Sequence, residues 1–260
     1  MNRQEKSKNV TFKLTLLGTG TCVPIKNRNS SGYFLKTQNL NILIDCGAGT
    51  LRRLTEAKID YRNIDLICVT HFHPDHCSDI APFFLATRHT PGFTRSKTLT
   101  VIGPAGLKSH LKRLAELYGS WLLDSDYPLV VHELKENSLI IKTIRIFSAP
   151  MKHTDNSIGF RFEENKKSIT FSGDTDFIPS LIQLAKKTDL LLIECSFPNN
   201  QKTEGHLTPK EVGIIANKSM SKKIILTHLY PVFKDDPVNE VKKIFNGEVI
   251  EGQDLMTLQI

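Results

Sequence analysis

The stretch Ile64-Asp-Leu-Ile-Cys-Val-Thr-His71-Phe-His73-Pro-Asp75-His76-Cys-Ser-Asp-Ile80 decides how the chain is read. Three of the nine histidines and one aspartate fall within the six residues from His71 to His76. The run before them, Ile64, Leu66, Ile67, Cys68 and Val69, is apolar and partly β-branched, which predicts a buried strand. Pro74 lacks the N–H that a strand interior needs, so a loop is expected to carry the histidines. A helix is expected from about Ser78, with Pro82 limiting its first turns. The cluster thus sits at the carboxyl end of a strand, where open α/β sheets place their ligands. Imidazole nitrogen and carboxylate oxygen are both ordinary zinc donors. His71 and His73 can serve one ion, and the adjacent Asp75 and His76 a second. The alternative is a polar loop with scattered histidines, but unpaired polar groups rarely gather so densely without a ligand.

Working outward, the same placement recurs. Apolar strands are expected at Phe12–Leu17, Tyr33–Lys36, Asn41–Asp45, Leu99–Ile102, Leu129–His132, Leu139–Ser148, Ile158–Phe162, Ser168–Phe171, Asp189–Glu194 and Lys223–Leu226, with two more near Val249 and Met256. His153 follows one of them, Asp174 another and His228 a third. With the first cluster they make five histidines and two aspartates, enough for two ions sharing a carboxylate if one sheet edge collects them. Asp45 also ends a strand and is a candidate to orient a ligand histidine from behind, or else a turn residue. Helices are expected at Thr50–Ala57, at Leu107–Leu117 with Leu107, Leu111, Leu114 and Leu117 on one face, at Phe177–Lys187, at about 209–218 behind Thr208 as N-cap and Pro209, and near Val238–Phe245. Gly18 and Gly20 follow a strand, but a dinucleotide site is rejected: the third glycine is missing and Val23-Pro24 opens no helix. A tight turn near the site is expected there instead. Strands alternating with helices, with no repeat or linker, indicate a layered α/β fold: a loose tail at 1–9, then one domain over 10–260.

Composition sets outer limits. The chain has 260 residues, 40% hydrophobic and 23% charged, which supports one large core. A net charge of +7 permits an anionic substrate such as a phosphodiester or RNA without requiring one. Five cysteines with no CxxC pair argue for a reducing compartment, most of them being small core residues. Cys77, beside the cluster, is a candidate extra donor. No apolar run spans a bilayer and the polar N-terminus leads into no signal core, so no membrane association and a cytoplasmic location are expected.

His71-Phe-His-Pro-Asp-His76 resembles the HxHxDH signature of the metallo-β-lactamase fold superfamily. Leu17-Gly-Thr-Gly20, Arg28-Asn29, Asp45-Cys-Gly47, Ser172-Gly-Asp-Thr175, Glu194, His206-Leu-Thr208 and Leu226-Thr-His228 are similar to the ribonuclease Z-like branch, over nearly the whole chain. The resemblance implies a four-layer αβ/βα sandwich holding two divalent ions, Zn²⁺ first, with Mn²⁺ or Fe as alternatives. It implies that His71, His73 and His153 hold one ion, that Asp75, His76 and His228 hold the second, and that Asp174 bridges them with one oxygen to each. It implies a metal-bridging hydroxide as nucleophile, Asp75 assisting it, and His206 approaching the scissile phosphate. Glu194 would hold the imidazole in its protonated form, with Asp45 and Thr208 behind the site. A helix-capping loop histidine is the other reading of His206. A homodimer is implied as well. Two features depart from ribonuclease Z: Pro74 stands where glycine is usual, and His153 and Asp174 are only 21 residues apart, which leaves no room for the usual tRNA-gripping arm. Expected, then, is a phosphodiesterase of the short form, with tRNA 3′ processing as the alternative and ester, amide or thioester hydrolysis as a further one.

Overall fold

Apolar strands joined by hairpin turns and helical crossovers build two seven-stranded sheets in the computed structural model, which describes residues 12–260. The tail expected at 1–9 lies outside the described residues. The first sheet holds β1 (Lys13–Gly18), β2 (Gly32–Lys36), β3 (Asn41–Cys46), β4 (Leu66–Cys68), β5 (Leu99–Pro104) and β6 (Leu129–Leu134). The second holds β7 (Asn137–Ile141), β8 (Ile144–Pro150), β9 (Ile158–Glu164), β10 (Lys167–Phe171), β11 (Leu190–Glu194), β12 (Lys223–Thr227) and β13 (Glu248–Glu251). The last strand, β14 (Thr257–Gln259), returns to the first sheet and pairs antiparallel with β1. Each sheet begins as antiparallel hairpins and continues as parallel strands: β3 to β6 in one, β10 to β13 in the other. Parallel strands are covered on both faces, which is why Leu190–Ile193 reads as an unbroken apolar run.

Side chains alternate along each strand and so sort into layers. Ile42 and Ile44 of β3 point between the sheets and meet Phe160, Phe162, Leu190 and Leu192 there. Leu43 points the other way, onto the layer that contains α1 (Thr50–Glu56), the single turn α2 (Pro74–Cys77), α3 (Ile80–His89) and α4 (Leu107–Tyr118). Leu191 and Ile193 pack likewise beneath α5 (Pro179–Leu184), α6 (Pro209–Ser219) and α7 (Pro237–Lys242). The result is the expected four-layer αβ/βα sandwich.

Four local expectations change. The run Leu139–Ser148 is not one strand: Lys142 takes a left-handed backbone (φ 53°), and Ile141 pairs with Ile144 across a tight hairpin that its apolar flanks hide. In α4, Leu107 and Leu111 are buried but Leu117 is 72% exposed, because ten residues of helix rotate it about 80° from Leu107. The helix expected at Phe177–Lys187 is shortened to α5, starting at Pro179, and Lys187 turns left-handed (φ 55°). Gly18 does not make a tight turn either. A Cβ there would lie 1.9 Å from the Ser30 carbonyl, so the glycine lets two backbone segments cross.

Candidate metal centre

The donors come from strand ends of both sheets, not of one edge as the sequence suggested. His71, His73, Asp75 and His76 follow β4 of the first sheet, whereas His153 follows β8, Asp174 follows β10 and His228 follows β12 of the second. The site therefore lies where the two sheets meet at one end of the sandwich. The loop expected to carry the first cluster is half helical: Pro74 takes the first position of α2, which turns Asp75 and His76 inward and buries both. Gly47 permits this approach, since a Cβ there would lie 2.0 Å from the Asp75 carbonyl oxygen.

Two groups of donors converge. His73 Nδ1 lies 3.2 Å from His71 Nε2 and 2.9 Å from His153 Nε2. Two ligands at 2.0–2.1 Å from one tetrahedral zinc lie about 3.3 Å apart, so these three nitrogens have the spacing of one coordination sphere. In the second group Asp75 Oδ2 lies 3.7 Å from His76 Nε2 and 3.4 Å from His228 Nε2. Asp174 stands between the groups. Its Oδ2 lies 3.3 Å from His76 and His228, 3.7 Å from His153 and 3.8 Å from His71. Two fully buried atoms, His76 Nε2 and Asp174 Oδ1, have no hydrogen-bond partner. Orphaned polar atoms amid convergent, chemically suitable donors mark a place for a cation, so the residues fit a metal ion.

Four of the five imidazoles are oriented from behind. His76 Nδ1 bonds to Asp45 Oδ2 at 2.7 Å, as the sequence suggested for Asp45. His71 Nδ1 lies 3.1 Å from Thr70 Oγ1, His153 Nδ1 donates to the Gly205 carbonyl at 3.0 Å, and His228 Nδ1 lies 3.0 Å from Ser196 Oγ. Thr70, Ser196 and Gly205 were not foreseen: small polar residues are everywhere in sequence, and only folding places these three. Thr208 makes no bond to the site; its hydroxyl and N–H both go to Glu211 and cap α6. Cys77 is turned away from the donors, its thiol bonding to the Phe72 and His73 carbonyls, and burial pushes it up to about 12. Burial and the charge of His76 push the His71 imidazole well below its usual range. For His76 burial acts the same way, but Asp174 and Asp45 prevail and hold it well above.

His206 sits beside both groups, its ring 4.8 Å from that of His153 and stacked on His228 at 5.5 Å. Its Nδ1 bonds to Glu194 Oε1 at 3.1 Å. Glu194 is fully buried and already receives the Thr175 N–H at 2.7 Å, the Leu207 N–H at 3.0 Å and the Ser196 hydroxyl. A carboxylate with that many donors has little left to offer a metal, and it favours a protonated neighbour. Burial opposes protonation of His206, but this bond and charge raise it above its ordinary value.

The profile of the beta-lactamase superfamily domain matches residues 40–229, a span that begins before β3 and ends just past His228. The chain belongs to that superfamily. A superfamily member with this donor set is a metal-dependent hydrolase. It is 28% identical to a ribonuclease Z of Clostridium tetani, over 95% of the chain and 98% of that protein. The alignment runs over 309 positions, so the relative carries insertions that this superfamily member lacks. With the probable metallo-hydrolase YhfI of Bacillus subtilis the identity is also 28%, over 252 positions that cover 92% of the chain and 96% of YhfI. The YhfI crystal structure superposes with a TM-score of 0.83 over 96% of the chain and 99% of YhfI, at 23% identity. That of human tRNase Z, short form, gives 0.78 over 95% and 98%, at 24% identity. These two show the fold. Among the described residues no helix is long and apolar enough to cross a membrane.

Proposed function

We propose that the protein is a dinuclear metal-dependent phosphodiesterase acting on a small phosphodiester or on RNA. His71, His73 and His153 would hold one ion and Asp75, His76 and His228 the other, with Asp174 shared; nitrogen and carboxylate donors at this spacing suit zinc. Such ions, when bound, lower the pKa of water and neutralise charge that builds on phosphorus. What carries the assignment is the His206–Glu194 pair, since neither group is needed for a two-ion ligand set. With Nδ1 bonded to Glu194, Nε2 is the nitrogen left to present a proton. In hydrolysis the water oxygen joins phosphorus while the ester P–O bond breaks. Asp75 orients the nucleophile and takes its proton, and His206 gives one to the departing oxygen.

Similarity to ribonuclease Z supports tRNA 3′ processing as the second reading. Against it, the 20 residues between His153 and Asp174 hold only the β9–β10 hairpin, turned at Asn165-Lys166. Near-equal length with YhfI points the same way. A homodimer and a cytoplasmic location complete the proposal, the former checked by light scattering. The deciding experiment is elemental analysis of the purified protein, with bis(p-nitrophenyl) phosphate and a precursor tRNA assayed on one sample. About two metals per chain with diester turnover and no tRNA cleavage supports the proposal. Specific tRNA cleavage favours the second reading, and full metal occupancy with turnover of carboxylic esters or thioesters alone would replace both.

A further inference from the structure

Phe197 lies three residues beyond Glu194 on the loop after β11, and Tyr230 two residues beyond His228 on the loop after β12. Their rings are stacked, with centroids 4.5 Å apart and planes within 22°. The Phe197 ring meets that of His206 edge-on at 5.7 Å. Tyr230 meets His206 at 6.0 Å and His228 at 5.8 Å. The Tyr230 hydroxyl contacts Cys22 Sγ at 3.4 Å, and the Leu229 N–H bonds to the Thr19 carbonyl at 3.2 Å. Both rings are only half-buried, whereas rings that serve the core alone, such as Phe160 and Phe162, are fully enclosed. Aromatic surface is thus kept at the edge of a site whose other walls are charged or hydrogen-bonding. Phosphodiester hydrolysis as such needs no ring there.

We infer that Tyr230 and Phe197 determine specificity, forming an aromatic wall that stacks a planar ring carried next to the scissile phosphate. The inference rests on the phosphodiesterase proposal. For a biological phosphodiester the planar ring is a nucleobase. One ribose separates a base from its phosphate, and one imidazole, that of His206, separates this wall from the nitrogen that faces the phosphate. Stacking on an aromatic side chain tolerates any base, because every base has a π-face. The wall therefore selects for a nucleoside and not for its sequence.

The test compares the dinucleotide adenylyl-adenosine with the same sugar–phosphate diester lacking both bases. The wild type should prefer the dinucleotide in kcat/KM. Tyr230→Ala should lower that preference by roughly 5- to 100-fold, and Tyr230→Phe should restore most of it. A binding arm needs no turnover. Cys22 is exposed, while Cys46, Cys68, Cys77 and Cys195 are buried, so a thiol reagent reports on Cys22 next to Tyr230. Adenosine monophosphate should slow its labelling more than ribose 5-phosphate does. Equal protection by the two, or a preference that Tyr230→Ala leaves unmoved, overturns the inference. If neither diester is cleaved but adenosine monophosphate alone protects, the wall stands and the phosphodiesterase proposal falls.

Discussion

Asp45 adopts a left-handed backbone (φ 53°) at the end of β3, and its carboxylate receives the Thr70 N–H at 2.8 Å, the Thr70 hydroxyl at 2.9 Å and His76 Nδ1 at 2.7 Å. A strained, fully committed aspartate of this kind is kept for what it positions. Asp45→Asn should weaken metal binding by about 10- to 100-fold, as loss of a partner behind a ligand histidine does. Competition with a chromophoric chelator measures it, and an unchanged affinity would mean that His76 is oriented by other contacts. For His206 the expected outcome is the reverse. His206→Ala should leave metal content near that of wild type and cut turnover by roughly 100-fold or more. Loss of metal in that variant would make His206 a ligand, since it also lies within reach of His153 and Asp174.

Individual elements carry tests of their own. The capping box of Thr208 and Glu211 starts α6, and Thr208 follows His206 by two residues. Thr208→Ala should cost about 1 kcal/mol by denaturant unfolding, and should leave the metal content unchanged because the hydroxyl touches no donor. Asp189, just before β11, ties three strands together: it accepts the Ser168 N–H at 2.8 Å at the start of β10 and pairs with Lys222 at 2.8 Å just before β12. Burial opposes its ionisation, yet Lys222, the Ser168 N–H and Lys167 hold it below the usual carboxylate value of 3.8. A depressed folded-state pKa stabilises above the unfolded value and is lost as pH falls through the folded one. Asp189→Asn should therefore cost about 1–2 kcal/mol at pH 7. Wild type and variant should converge in stability as the pH is taken from about 4 downward. A gap that is constant with pH would assign the effect to packing and not to charge.

At the scale of the whole molecule, the site is a joint between two sheets whose other contacts are the apolar layer around Phe160, Phe162 and Leu192. An ion held, as proposed, by His73 from one sheet and His153 from the other would bind the folded chain and not the unfolded one. Ligand at about 100 times its Kd adds about 2.7 kcal/mol, so chelation should lower the Tm by roughly 5–10 °C for a chain of this size. Scanning calorimetry before and after chelation, with zinc added back, reads the effect; no shift would place the ions outside the joint. Much of this was legible in sequence. Donor density at His71–His76 and the apolar runs before His153, Asp174 and His228 are local properties, and strand periodicity is written residue by residue. Glu211 three residues after Thr208 is equally local. Hidden were the Lys142 hairpin inside an apolar run and the roles of Thr70, Ser196 and Gly205, whose residue types carry no signal. Only tertiary structure decided that two sheets share the donors, that Asp174 comes to stand between both groups, and that Phe197 meets Tyr230. Each of those depends on pairing between strands far apart in the chain, which a one-dimensional pattern specifies only through the packed core that results.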